Sequence, residues 1–132
     1  VIAGDGPDRE RLEALANGGV RFAGRVSQQQ LADLYARCLA VYYAPVDEDY
    51  GMVPLEAFLS EKPVLTTTDA GGPLEVVTDG TTGLVVSPDA GELARAAGWL
   101  REHRDDAASL GRAGQAVAAE VTWDRAIGRL LA

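Results

Sequence analysis

The chain has 132 residues, 47% hydrophobic and 24% charged, with 20 acidic against 12 basic side chains and a net charge of −8. Such a size and mix fit one globular domain with its own core, while the acidic balance argues against a nucleic-acid or anionic-membrane partner, both of which want a basic face. With one cysteine (Cys38) and one histidine (His103), a disulfide framework and a cysteine-based zinc site are excluded.

VIAG (1–4) is a short apolar run closed by Gly4-Asp5-Gly6-Pro7, a strand followed by a turn. From 7 to about Asn17 the pattern is helical, with Pro7 near the first turn and Leu12, Leu15 and Ala16 on one face, before Gly18-Gly19 stops it. VRFAG (20–24) is a second strand. Ser27 and Gln30 form a capping-box pattern, and Leu31, Leu34, Tyr35 and Cys38 then recur at helical spacing, so Cys38 reads as a buried, inert thiol. AVYYAP (40–45) is a third strand ended by Pro45, and a helix runs from about Met52 to Ser60. PVLTTT (63–68) is a fourth strand, 73–78 a short helix and GLVV (83–86) a fifth strand. Asp89 and Glu92 cap a helix with Leu93, Ala96 and Leu100 inward. A helix near 105–120 carries Leu110, Ala113 and Val117, and the last, capped by Thr122, presents Trp123, Ile127, Leu130 and Leu131. His103, near a helix end rich in charge, reads as a surface or helix-end residue.

Short, continuously apolar strands alternating with amphipathic helices mean an α/β fold, a Rossmann-like parallel sheet with helices on both faces. Ligands in such folds bind beyond the carboxyl ends of the strands. No apolar run reaches membrane-spanning length and no signal peptide is visible. The chain starts at Val1 and passes directly into an apolar strand, so it reads as a fragment of something longer, with a cytoplasmic setting as the default.

Three loops follow strands and could meet a phosphate. GDGPDR (4–9) begins like a dinucleotide-binding fingerprint but has Arg9 at the third glycine, and Gly24-Arg25 stands where an acidic residue would hold a ribose, which disfavours a dehydrogenase. EDYGMVP (48–54) places Gly51, which lets backbone approach a ligand, before Pro54, which suits a first helical turn. Free amides and the helix dipole there make an anion site, with Glu48 just before the helix and Glu56 just inside it. Two readings of these carboxylates stand: acceptors for sugar hydroxyls beside a phosphate, or acidic residues that merely complement the dipole. DAGGPLE (69–75) opens another short helix, where Gly71 and Gly72 bring backbone N–H groups to a ligand or simply form a turn. No P-loop pattern occurs.

EDYGMVPLEAFLSEKPVLTTTDAGGPLEVVTDGTTGLVV (48–86) resembles the nucleotide-sugar-binding half of the retaining glycosyltransferases of family 4, which have the GT-B fold. Glu48 and Glu56 match that family's E-x7-E pair. VIAGDGPDRERLEALA and VRFAGRVSQQQLADLYARC follow its order, and Trp123 before a helix fits its tail. The resemblance implies a single donor-binding domain over 1–132 and transfer of a sugar from a nucleotide diphosphate with retention, without a metal or other cofactor. Under it Glu48 contacts the donor sugar near the reacting centre and Glu56 holds the ribose. Tyr50, Gly51 and Met52, with Gly71 and Gly72, face the sugar and phosphate, and Gly24, Arg25 and Val26 lie near the base. Implied partners are the nucleotide-sugar donor and an N-terminal acceptor domain of the same enzyme, which would also carry any membrane association.

Three departures stand out. Asp49 replaces a glycine and adds negative charge, and Glu61 replaces a glycine at a helix end, a strain of roughly 1 kcal/mol if that position is left-handed. The family's first strand and helix, with a phosphate-binding Arg and Lys, are missing, so the isolated chain is expected to be inactive. That strand is central in a 3-2-1-4-5-6 order. The strands at 1–4 and 40–45 are therefore expected to pair directly or to self-associate across the gap. Rival readings are an epimerase-like domain that handles nucleotide sugars and a non-catalytic binding or assembly module.

Overall fold

The computed structural model describes residues 1–16 and 18–131. Along them run β1 (Ile2–Ala3), α1 (Arg9–Leu15), β2 (Phe22–Gly24), α2 (Gln28–Arg37), β3 (Val41–Tyr42), α3 (Val53–Leu59) and β4 (Val64–Thr67). A 3-10 turn (Gly72–Glu75), β5 (Gly83–Val86), α4 (Ala90–Glu102), α5 (Arg104–Ala119) and α6 (Trp123–Leu130) complete the order. Every strand pairing is parallel. The alternation matches the sequence pattern, though the first three strands are only two or three residues long. Asn17, the expected end of the first helix, lies outside the described residues.

The chain divides into two compact units, Val1–Arg37 and Cys38–Ala132. In the first, β1 pairs with β2, Ile2 opposite Phe22 and Ala3 opposite Gly24, with an irregularity between them. The Gly4 N–H donates to the Gly24 carbonyl at 2.8 Å and prolongs the ladder. α1 is held by Arg9 against Glu13 and Arg11 against Asp8, pairs three and four residues apart. Its apolar face is open: Leu12 and Leu15 are both exposed. α2 begins with the expected reciprocal cap, the Ser27 N–H donating to Gln30 Oε1 and the Gln30 N–H to Ser27 Oγ. Leu31, Leu34 and Tyr35 are half-buried along it.

In the second unit the strand order is β3-β4-β5. Val41 faces Val64, Tyr42 faces Leu65, and β4 and β5 pair from Val64–Gly83 to Thr67–Val86. Alternate strand residues point to opposite faces, and all four residues of β4 are buried, so both faces of this sheet are covered. Leu65 meets Ala96, Leu100, Ala107 and Leu110 of α4 and α5. Phe58 of α3 is fully buried against Gly114 of α5, where a Cβ would strike its ring. A Cβ on Gly111 would strike the Glu61 carbonyl, and Glu61 itself is left-handed at φ 55°. The strain foreseen at Glu61 is therefore present. The direct pairing expected between β1 and β3 is not formed: β1 hydrogen-bonds β2 and β3 hydrogen-bonds β4.

The buried stripe of α5 is Ala107, Leu110, Gly111, Gly114 and Ala118, with Ala113 and Val117 only half-buried. In α4, Ala96 and Leu100 are buried and Leu93 is half-buried. α4 starts on Asp89, whose Oδ1 accepts from the Gly91 and Glu92 amides at 2.9 and 3.1 Å. Asp89→Ala should cost about 1 kcal/mol, read as a lower urea midpoint at unchanged slope. His103 joins α4 to α5, its Nδ1–H donating to the Trp99 carbonyl and its ring stacked on Trp99. This is the helix-end role foreseen. Cys38 is half-buried just past α2, and burial pushes its thiol pKa up. α6 keeps its Thr122 cap, but its apolar residues are all exposed, Trp123 and Leu130 at 83% each, as is Leu131 just past its end.

Candidate functional site

The site grows from the end of the second unit's sheet. Beyond β3 and β4 the two chains keep running in parallel. The Asp47 N–H donates to the Asp69 carbonyl at 2.9 Å, the Glu48 N–H to the Ala70 carbonyl at 3.1 Å, and the Gly72 N–H to the Glu48 carbonyl at 2.6 Å. Asp47, at φ 50°, turns the chain into this contact. The two glycine-bearing loops that sequence spacing treats separately are thus one structure.

Its glycines have a steric role. A Cβ on Gly71, at φ 75°, would stand 2.6 Å from the Glu48 carbonyl oxygen and 2.8 Å from its nitrogen. A Cβ on Gly72 would run into the Asp49 carbonyl. Both residues are needed so that the loops can touch. Gly72 also commits its N–H to Glu48, so that amide does not point at a ligand as expected. Among the described residues, the Gly71 N–H and the N–H groups of Tyr50, Gly51 and Met52 donate to no backbone carbonyl. Met52 caps α3 with no side-chain hydrogen bond, and Pro54 occupies its first turn. Glu56 sits in that same turn, exposed, while Pro54, Leu55, Ala57 and Phe58 around it are buried. The buried face of α3 thus turns Glu56 to solvent.

Glu48 has a neighbour the sequence reading missed. The Tyr43 hydroxyl donates to Glu48 Oε2 at 3.3 Å. Burial raises the Tyr43 phenol pKa, and the Glu48 charge and hydrogen bond raise it further. Gly51, at φ 70°, lies against both Tyr43 and Pro73: a Cβ there would be 3.2 Å from Tyr43 Cε1 and 3.0 Å from Pro73 Cγ. The available signal was a tyrosine at the end of an apolar strand, five residues before a carboxylate.

Gly24, Arg25 and Val26 belong to the first unit. Gly24, at φ 66°, closes β2, and a Cβ there would lie 3.1 Å from Arg9 Nη1. Exposed Arg25 and half-buried Val26 line an open cavity of about 250 Å³ with Arg21, Gln30, Asp33 and Arg37. Among the described residues no group of three or more His, Cys, Asp or Glu could hold a metal ion, and no helix is long and apolar enough to cross a membrane.

Around α3, then, two exposed carboxylates able to accept hydroxyl hydrogens flank backbone amides able to donate to anionic oxygens. Comparison with known proteins gives this chemistry a context. The family Glycosyl transferases group 1 matches residues 1–117. Alpha-1,3/1,6-mannosyltransferase ALG2 of Mus musculus is 36% identical over 101 residues, 76% of this chain and 24% of that protein. D-inositol 3-phosphate glycosyltransferase of Streptomyces avermitilis is 37% identical over 111 residues, 81% of this chain and 23% of that protein. Among solved structures, sucrose-phosphate synthase from Thermosynechococcus elongatus superposes with TM-score 0.81 and 28% identity, covering 97% of this chain and 36% of its own. Anabaena Alr3699/HepE in complex with UDP and glucose gives TM-score 0.80 and 26% identity, covering 98% and 39%. The chain spans about a quarter of these curated relatives and under two fifths of these solved chains. It belongs to the Glycosyl transferases group 1 family, and its parallel sheets with flanking helices are a Rossmann-like half of a GT-B fold.

Proposed function

We propose that this chain is the donor-binding domain of a retaining glycosyltransferase, which takes a nucleotide diphosphate sugar as donor. The observation that carries the reading is the start of α3: Glu48 and Glu56 flank amides at Tyr50, Gly51 and Met52 that no backbone carbonyl claims. In this reading Glu56 accepts from the ribose hydroxyls and Glu48 from the donor sugar. The amides at 50–52, with that of Gly71, meet the distal phosphate, and Gly24, Arg25 and Val26 meet the base. A UDP-bound relative of the same fold, and one family match running across both compact units, support treating 1–132 as a single donor domain.

The acceptor would be held by a further domain of the same enzyme, and the chain alone would not complete transfer. Self-association belongs to the same proposal, since β1 and β3 each hydrogen-bond a strand on one side only.

Ligand-observed NMR with UDP, GDP and ADP and their sugar conjugates tests the reading. One nucleotide should bind weakly, and Glu56→Ala should weaken it about tenfold or more, the loss of hydrogen bonds to a charged acceptor. Equal binding by wild type and Glu56→Ala would remove the ribose role.

A further inference from the structure

We propose that Tyr43 is the positioning residue for Glu48, setting which carboxylate oxygen meets the donor sugar; this rests on the reading of Glu48 as the sugar-facing carboxylate. Three constraints converge on Glu48. Its N–H and carbonyl are both hydrogen-bonded to the 70–72 segment, at 3.1 and 2.6 Å, so its backbone cannot swing. Its Oε2 accepts from the Tyr43 hydroxyl at 3.3 Å. Oε1 has no hydrogen bond or ion pair among the described residues and is the oxygen left to accept from a ligand hydroxyl.

Tyr43 can fix that orientation because it is itself fixed. Its N–H donates to the Leu65 carbonyl at 3.0 Å, which ties it to the buried central strand. Its ring edge is covered by Gly51, whose missing side chain leaves space that Tyr43 and Pro73 share. An exposed glutamate otherwise samples several rotamers and would lose that freedom on meeting a ligand. A neutral donor on one oxygen removes part of that cost beforehand without neutralising the carboxylate. The raised Tyr43 phenol pKa fits a hydroxyl that keeps its proton while it donates.

The test uses this chain with tyrosine labelled at 13Cζ, as wild type, Tyr43→Phe and Glu48→Gln. Tyr43→Phe keeps the ring and its packing and removes only the hydroxyl. Without ligand, Tyr43 should titrate above the ordinary tyrosine range, and Glu48→Gln should bring it partway down, burial remaining. An unchanged titration in Glu48→Gln overturns the contact. Affinities are then measured for UDP and UDP-glucose, for GDP and GDP-mannose, and for ADP and ADP-glucose. Tyr43→Phe should bind the bare nucleotide within twofold of wild type and its sugar conjugate about fivefold more weakly. Equal loss for both ligands, or no loss for either, overturns positioning. Binding of none of these ligands by wild type overturns the donor reading and the sugar role together, and the ligand-free titration still decides whether Tyr43 holds Glu48.

Discussion

Phe58→Ala should remove about 3–5 kcal/mol of stability, a large share of the roughly 5–15 kcal/mol that holds a domain together. Phe58 is the largest fully buried side chain, and its ring fills the space left by Gly114. Alanine would leave a cavity under α5 that the glycine cannot fill, because nothing projects from it. Phe58→Leu, which keeps most of the volume, should lose much less. Urea unfolding followed by Trp99 fluorescence measures both, since Trp99 lies in α4 of the same unit. A loss under about 1 kcal/mol for Phe58→Ala would mean that α5 settles onto α3 without it.

Gly72→Ala should cost about 2–3 kcal/mol and abolish donor binding. The new Cβ would strike the Asp49 carbonyl, which is backbone and cannot rotate aside as a side chain would. The loops must part, and with them go the Glu48–Gly72 hydrogen bond and the placement of Glu48 and the 50–52 amides. Amide spectra should show shifts concentrated in 43–52 and 69–74, with α4 and α5 undisturbed. Retained binding of the wild-type nucleotide by a folded Gly72→Ala chain would show that the junction of the two loops is not needed for the site.

What was legible in the sequence follows from how local each signal is. The Ser27–Gln30 cap, the Asp89 cap and the apolar run of β5 are each written within a few residues, and each appears where expected. The inward face of α5 was harder. A reading weighted by hydrophobic side chains selects Leu110, Ala113 and Val117, whereas close packing against the Glu61 corner and Phe58 selects Gly111 and Gly114. The signal was there as small residues at 107, 111, 114 and 118, spaced four, three and four apart. In the site, the spacing of Glu48 and Glu56 around α3 was legible because it is sequential. Tyr43 on Glu48, and Gly71 and Gly72 packed beneath it, were not: these contacts depend on two loops meeting, which no single stretch encodes. α6 shows the converse case, an apolar face clear in the sequence that no described residue covers.

The uneven distribution of buried side chains has a consequence for how the chain opens. No described residue from 1 to 37 is fully buried, and β1 is exposed at both positions. From Cys38 onward lie all the fully buried residues, Phe58, Val64, Ala107 and Leu100 among them. Amide hydrogens in the first unit are therefore guarded by little more than their own ladder and helix bonds, and exchange through local openings far below the cost of global unfolding. Those in β4 exchange only when the core of the second unit comes apart. A single unfolding free energy thus describes the unit that carries Glu48 and Glu56. The segment that carries Gly24, Arg25 and Val26 sits in a shallower well.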